Sequence, residues 1–393
     1  MNTEKQKNKI LYISTKSGFF GGVERYIYDT AALLSDNGYR VSGLFKEKAK
    51  DFELFSRPFD KIYDFTDVDK IIEENDFDLA FIHKVDDSKL IGKLRRKYKT
   101  AVFVHDHDYY CMRRHKYYPV CRTNCPLPFN LFYCSLCSGM IARGARGLQF
   151  VNPLRRRRLM NEIRQCDAFI VMSGFMQNNL IMNRFSINSI YKIYPLRKLP
   201  SGDALKKSKG EIPVIIYVGQ LIYGKGVDLM LQALAQIDLD FRAIIVGSNK
   251  DDDFLKSLAG ELGIADKVEF AGWQTDPAPY WKKADVAVFP SRWLEPFGLT
   301  GIEAFSFGIP VVGFDVGGVS EWLKNNVNGI LVPAKDVDGM AAAVRRLISS
   351  PEIADQFGEN GHNMVKNNFS PDNFLVSFKA MLDGITAGEN TNV

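Results

Sequence analysis

At 393 residues, with 46 % hydrophobic and 25 % charged residues, the chain exceeds what one core ordinarily supports and has the make-up of a globular protein, so two domains are expected. No apolar run reaches the ~18 residues of a membrane span, and MNTEKQKNKI lacks the apolar core of a secretory signal, which argues against a spanning or exported chain and for a cytoplasmic one. The net charge of +5 divides into +13 for residues 1–200 and −8 for the rest, and a one-sided basic field favours an anionic partner.

KILYIST (9–15) reads as a buried strand, SGFFGG (17–22) as a glycine turn, and VERYIYDTAALLSDNG as a helix with Val23, Ile27, Ala31 and Leu34 on one face and Gly38 as its stop. Strand patterns follow at FDLAFIH (77–83), TAVFVH (100–105) and DAFIVMS (167–173), with a helix near 153–165. The same unit then restarts: PVIIYVG (213–219), the loop QLIYGKG (220–226) and the helix VDLMLQALAQI, then FRAIIVGS (241–248), KVEFAG (267–272), ADVAVFPS (284–291) and IPVVGFD (309–315). Strands that are apolar throughout and alternate with helices predict parallel sheets covered on both faces. The expected class is therefore α/β, with two doubly wound domains. These are residues 1–195, carrying a Cys-rich insertion at 108–150, and residues 213–370, joined by a Pro/Gly/Ser/Lys-rich hinge at 196–212; residues 371–393 form a helix returning toward the first domain.

Three stretches carry candidate chemistry. Gly21 and Gly22, between strand and helix, let backbone amides approach a phosphate or sugar, although many such turns use glycine for geometry alone. Lys225, just before a helix, adds a cation at the positive end of its dipole, a seat for a diphosphate; an exposed surface lysine is the alternative. In EPFGLTGIE (295–303), Glu295 sits on a loop after a strand, Gly298, Leu299 and Thr300 open a helix with free amides, and Glu303 lies about one turn in. One nucleotide sugar can span all three, because a carboxylate accepts two hydroxyl hydrogen bonds at once.

EPFGLTGIEAFSFGIPVV followed by GGVSEWL resembles the acid-x7-acid signature of the retaining glycosyltransferases of family 4, bacterial surface-polysaccharide type, which have the GT-B fold of two Rossmann-like domains facing across a cleft. GGVERYIY, FVHDH, IVMSGFM, YVGQLIYGKG, VEFAGW and ADVAVFPSRWLEPFG extend the resemblance over most of the chain. The resemblance implies a first domain that binds the acceptor and a second that binds the nucleotide sugar. It makes Glu295 and His105 the catalytic residues, Glu295 on the donor sugar hydroxyls beside the developing positive charge and His105 facing the sugar. It gives Glu303 the ribose, Lys225 and Gly22 the diphosphate, Gly272 and Trp273 the base, and adds Gly21, Gly219, Phe297, Gly298, Leu299 and Thr300 to the donor site. Gln220 stands where many members have an arginine, which leaves the diphosphate to Lys225, helix termini and a further arginine such as Arg292. Attack on the face that the diphosphate leaves then needs positioning and electrostatics and no metal. The implied donor is a UDP- or GDP-sugar, and the implied acceptor a glycan or polyprenyl-diphosphate-linked glycan.

Five of six cysteines fall within 27 residues. Cys121, Cys125, Cys134 and Cys137, with Cys111 as a substitute, have spacings that admit a structural zinc; disulfides or unligated thiols are the alternative. The insertion, with RRRR at 155–158 and Arg143 and Arg146, is expected to receive an anionic acceptor and to touch an anionic membrane peripherally at the inner face. A nucleotide-sugar epimerase or a phosphorylase on the same fold is the rival reading. A zinc-containing nucleic-acid-binding protein is a second rival, but it leaves the acidic second half unexplained, and nucleic acid is not expected as a partner.

Overall fold

The computed structural model describes residues 8–19, 21–49, 51–118, 122–138, 140–142, 148–150, 152–200, 210 and 212–387. They form two compact units, one of residues up to 196 together with those from 371, the other of residues 197–370.

The first unit is built on seven strands: β1 (Lys9–Ser17), β2 (Arg40–Lys48), β3 (Lys61–Asp64), β4 (Leu79–His83), β5 (Lys99–Phe103), β6 (Ala168–Val171) and β7 (Ile190–Lys192). All pair in parallel, in the order β7-β6-β5-β4-β1-β2-β3. The central strands are apolar because helices cover both faces; every residue of β4 is buried. The strands that the sequence pattern passes over are β2, whose run is interrupted by Ser42 and Gly43 and turns charged at Lys46, and the short outer strands β3 and β7.

Helix α1 (Gly22–Asp36) buries Tyr26, Ile27, Thr30, Ala31 and Leu34, whereas Val23 is only half-buried and Glu24 is buried instead. The register is set by Tyr26, whose ring packs 4.4 Å from Phe103, and by Thr30, which accepts from the buried Tyr12 hydroxyl at 3.1 Å. The insertion contains helix α2 (Leu131–Ser138) and two short antiparallel pairs, Tyr117–Tyr118 with Thr123–Asn124 and Met140–Ala142 with Leu148–Phe150. Helix α3 (Pro153–Ile163) starts at Asn152, whose side chain accepts from the amides of Leu154 and Arg155, with proline at the first helical position. Helix α4 (Gly174–Met182) follows β6 and is capped by Ser173.

The second unit has six parallel strands: β8 (Val214–Val218), β9 (Arg242–Val246), β10 (Val268–Gly272), β11 (Val286–Phe289), β12 (Val311–Phe314) and β13 (Gly329–Val332). Their order is β10-β9-β8-β11-β12-β13. Helix α5 (Leu299–Ser306) follows β11. After β8 the chain winds outward through β9 and β10, and β11 restarts on the other side. The strand order reverses between β8 and β11, whose loops leave side by side, and a crevice opens at the carboxyl ends of these strands. The last helix, α6 (Pro371–Thr386), buries Phe374, Phe378, Met381 and Leu382 in the first unit, with Phe378 5.7 Å from Phe81. Among the described residues no helix is long and apolar enough to cross a membrane.

Candidate functional site

In the second unit, the crevice at the β8/β11 switch is where Lys225 and Glu295 meet. The loop after β8 ends in a turn, Tyr223–Lys225, closed by Gly226 in the left-handed region (φ +72°). A Cβ at Gly226 would stand 2.0 Å from the Pro290 carbonyl oxygen, and one at Gly224 would lie 1.9 Å from the Trp293 ring. These glycines let the two loops touch. The amides of Arg292 and Trp293 donate to the Gly224 carbonyl at 3.0 and 3.3 Å. The close approach brings Lys225 Nζ to 2.7 Å from Glu295 Oε1, and Ser291 Oγ lies 2.6 Å from the same oxygen. Glu295 is buried at 7 % exposure, and its Oε2 has no protein partner among the described residues. A buried carboxylate held through one oxygen by a cation and a hydroxyl, with the other oxygen open, is a preset acceptor for sugar hydroxyls.

Helix α5 begins four residues beyond Glu295, behind Gly298 (φ +99°), and no side chain caps its first turn, so the amides of Leu299 and Thr300 stand open at its positive end. Trp322 fixes this helix start. Its indole N–H donates to the Phe297 carbonyl at 2.5 Å, and its ring lies where a Cβ on Gly301 would be only 2.0 Å away. Glu303 accepts from Arg197 Nη2 at 2.8 Å. Gly219, Gly247 and Gly272 follow or end β8, β9 and β10; the Gly247 amide donates to the Gly272 carbonyl at 2.8 Å, and Gly272 (φ +68°) has open space where a side chain would stand. Trp273 is 58 % exposed.

In the first unit, Gly21 and Gly22 are exposed at the start of α1, Gly21 in an extended conformation that any residue can adopt. His105 is buried beyond the end of β5, its Nε2 2.9 Å from Nδ1 of His83. Burial holds the His83 imidazole down to about 3, and burial, then His83 and Lys84, hold His105 well below the ordinary histidine value. Both rings are thus neutral near pH 7, one nitrogen donating and the other accepting. A depressed pKa stabilises the fold above the unfolded value near 6.5, and this stabilisation is lost as pH falls below it. Acidification from pH 7.5 to 5.5 is therefore expected to cost stability, on the order of 1 kcal/mol for each ring. His83→Phe, which keeps the stack on Tyr12 at 5.2 Å, should remove about half of that loss in denaturant titrations; an unchanged pH dependence would contradict the assignment.

Cys111, Cys125, Cys134 and Cys137 line one cavity, and Cys121 lies outside the described residues. Among the described residues no three His, Cys, Asp or Glu side chains are grouped so as to hold a metal. Arg143 and Arg146 also lie outside the described residues.

Residues 203–364 match the family model described as glycosyl transferases group 1. The chain is 36 % identical over 164 residues to the uncharacterized glycosyltransferase MJ1607 of Methanocaldococcus jannaschii, covering 41 % of this chain and 42 % of that protein. It is 28 % identical over 172 residues to the lipopolysaccharide core biosynthesis glycosyltransferase LpsE of Rhizobium meliloti, covering 44 % and 50 %. The chain thus spans about half the length of these curated relatives, or less. Over nearly its whole length it superposes on Anabaena Alr3699/HepE, solved in complex with UDP, with a TM-score of 0.75, 19 % identity and coverage of 95 % and 99 %. The fold is GT-B.

Within this GT-B chain several readings of the sequence take a more definite form. The Phe297 ring is fully buried, 5.8 Å from Phe369, so only its backbone is available to a ligand. Arg292, suggested as a substitute cation where Gln220 replaces an arginine, is 3 % exposed, pairs with Asp228 at 2.8 Å and stacks 4.0 Å over Tyr223; it ties the two loops together. Sequence reasoning missed Ser291, Gly317, Trp322 and Arg197. Gly317 (φ +62°) has no room for a Cβ, which would meet the Glu295 carbonyl oxygen at 2.3 Å. The doublet in GGVSEWL marks that contact, whereas Ser291 and Arg197 carry no spacing signal.

Proposed function

We propose that the chain is a retaining glycosyltransferase that moves one sugar from a nucleoside-diphosphate donor to a glycan or polyprenyl-diphosphate-linked glycan, in surface-polysaccharide building. The observation that carries this reading is the buried Glu295 carboxylate, bound through Oε1 by Lys225 and Ser291 and open at Oε2, next to an uncapped helix start.

In this reading Oε2 of Glu295 takes sugar hydroxyls and the carboxylate supports positive charge developing at the anomeric carbon. Lys225 and the amides of Leu299 and Thr300 take the negative charge gathering on the departing diphosphate. Glu303, at the opposite end of the first helical turns, accepts from the ribose hydroxyls, sharing its carboxylate with Arg197. The acceptor hydroxyl enters on the face the diphosphate leaves, and a phosphate oxygen takes its proton. Positioning then supplies most of the rate, and Lys225 with the helix terminus supplies the charge that a divalent ion otherwise provides. The acceptor is bound by the first unit.

UDP, the ligand in the Anabaena structure, is the first nucleotide to test here, against GDP and ADP. A ligand at one hundred times its Kd stabilises by about 2.7 kcal/mol, and a unit of this size gains roughly 2–4 °C per kcal/mol. One nucleotide should therefore raise the melting temperature by several degrees, and NMR of the product should show the donor's anomeric configuration retained. No response to any nucleoside diphosphate, an inverted product or an epimerised free sugar would each refute the proposal.

A further inference from the structure

The Glu303 carboxylate is held from one side only. Glu303 is the fifth residue of α5, one turn beyond the open amides of Leu299 and Thr300, and helical side chains tilt toward the N-terminus, which leans its carboxylate back toward them. Arg197 Nη2 donates to Oε1 at 2.8 Å, and among the described residues Oε2 has no partner. Arg197 is the first residue of the second unit, and its own amide donates to the Phe369 carbonyl at 2.7 Å. Phe369 ends the helix Pro351–Asn368, which packs on α5 so closely that a Cβ at Gly361 would stand 2.4 Å from the Phe305 ring. Glu303 and its cation therefore belong to one packed block.

A guanidinium that pairs well with a carboxylate does so through two parallel N–H···O bonds. Here only Nη2 is used, and the Nε–H is buried without a partner among the described residues. A fork through Nε and Nη2 would satisfy that donor, whose isolation is costly, and would close both carboxylate oxygens. The chain keeps the single bond and leaves Oε2 free. Fold stability accounts poorly for this arrangement, because a pair whose side chains are 27 % and 20 % exposed contributes little to it. Ligand binding accounts for it better: a charged acceptor, oriented by a cation through one oxygen and set one helical turn from a diphosphate seat, suits a vicinal diol. Lys225 holds Glu295 in the same manner, through Oε1.

We infer that Arg197 is a positioning residue, which orients Glu303 toward the ribose diol of the donor nucleotide and so makes the site select ribonucleotides; the inference rests on the ribose role of Glu303. Calorimetric titration of the full chain with UDP and 2′,3′-dideoxy-UDP, and with the corresponding GDP pair, tests it. In the pair that binds, the parent should prefer the ribonucleotide about tenfold, the worth of one hydrogen bond to a charged group. Arg197→Gln should shrink that ratio to about twofold by weakening the ribonucleotide alone. Arg197→Lys, which keeps a cation without the planar donor, should fall between. On a Glu303→Gln background, where the ratio is already low, adding Arg197→Gln should change nothing further. Melting temperatures within about 2 °C of the parent check that the variants fold. Equal weakening of both nucleotides by Arg197→Gln overturns the proposal, since Arg197 would then act through packing or general charge. Tighter ribonucleotide binding overturns it too, because Arg197 would be blocking the seat, and so does an added loss on the Glu303→Gln background. A parent that binds a nucleoside diphosphate but ignores the diol removes the ribose role of Glu303 and this inference with it, and leaves the diphosphate seat standing. Binding of neither UDP nor GDP refutes the proposed function as well.

Discussion

Replacing Glu295 by glutamine is expected to lower the rate of sugar transfer about 10²–10³-fold, the range found when one preorganised electrostatic group is removed from a transition state. Glutamine keeps the shape and can still accept from Ser291, so the loops after β8 and β11 should stay in place. What it loses is the charge that opposes developing positive charge at the anomeric carbon and the ion pair with Lys225, 2.7 Å away. The freed Lys225 ammonium, whose side chain is 29 % exposed, stays solvated, so the variant should fold normally. The loss should appear in kcat, and nucleoside-diphosphate affinity should move little, because the diphosphate is held by Lys225 and the α5 amides. Lys225→Ala reverses this division, weakening nucleotide binding first. A Glu295→Gln enzyme that transfers at the parental rate would remove the carboxylate from the mechanism.

Trp322→Ala should be the most damaging stability change near the site, costing about 3–5 kcal/mol as a large buried aromatic truncated to alanine. The indole is fully buried, 5.5 Å from Phe289 and 5.6 Å from Phe305, and Gly301 is cut away to receive it. Its N–H also satisfies the Phe297 carbonyl immediately before the start of α5. Trp322→Phe separates the two roles: it keeps most of the packing, removes the indole N–H from that carbonyl and should cost about 1 kcal/mol. Denaturant titration measures both costs, and UDP affinity under native conditions measures how far the helix start has loosened. A Trp322→Ala midpoint within error of the parent would show that the cavity collapses at no cost and that the helix is held by something else.

Much of the second unit is legible in the sequence because parallel strands under two helical layers are unbroken apolar runs. Both units also begin with a strand, a glycine turn and a helix. EPFGLTGIE points to Glu295 because a loop and an uncapped helix follow a strand, and YGKG points to Lys225 for the same reason. Their contact across 70 residues is not legible from either stretch; it follows from the strand order, which places the loops of β8 and β11 side by side. In the sequence Ser291 is only the last residue of a strand, and its position under the carboxylate gives it a role. The run RRRR looks like one basic patch, but successive helical residues point about 100° apart. Arg156 turns inward to donate to the Asp108 carbonyl, while Arg155, Arg157 and Arg158 are exposed. His83 is likewise only the end of a strand in the sequence, since nothing in FDLAFIH says that a second imidazole lies across from it on β5's extension.

Helix α6 has a consequence for how the molecule is made. Its Phe374, Phe378, Met381 and Leu382 complete the core of the unit that contains the first residues of the chain. On a ribosome the strands from β1 to β7 emerge before α6 does, and the apolar face around Phe81 and Tyr26 stays uncovered until α6 has been made. The first unit therefore closes only after the second has been synthesised, and in between the nascent chain presents an apolar surface to water.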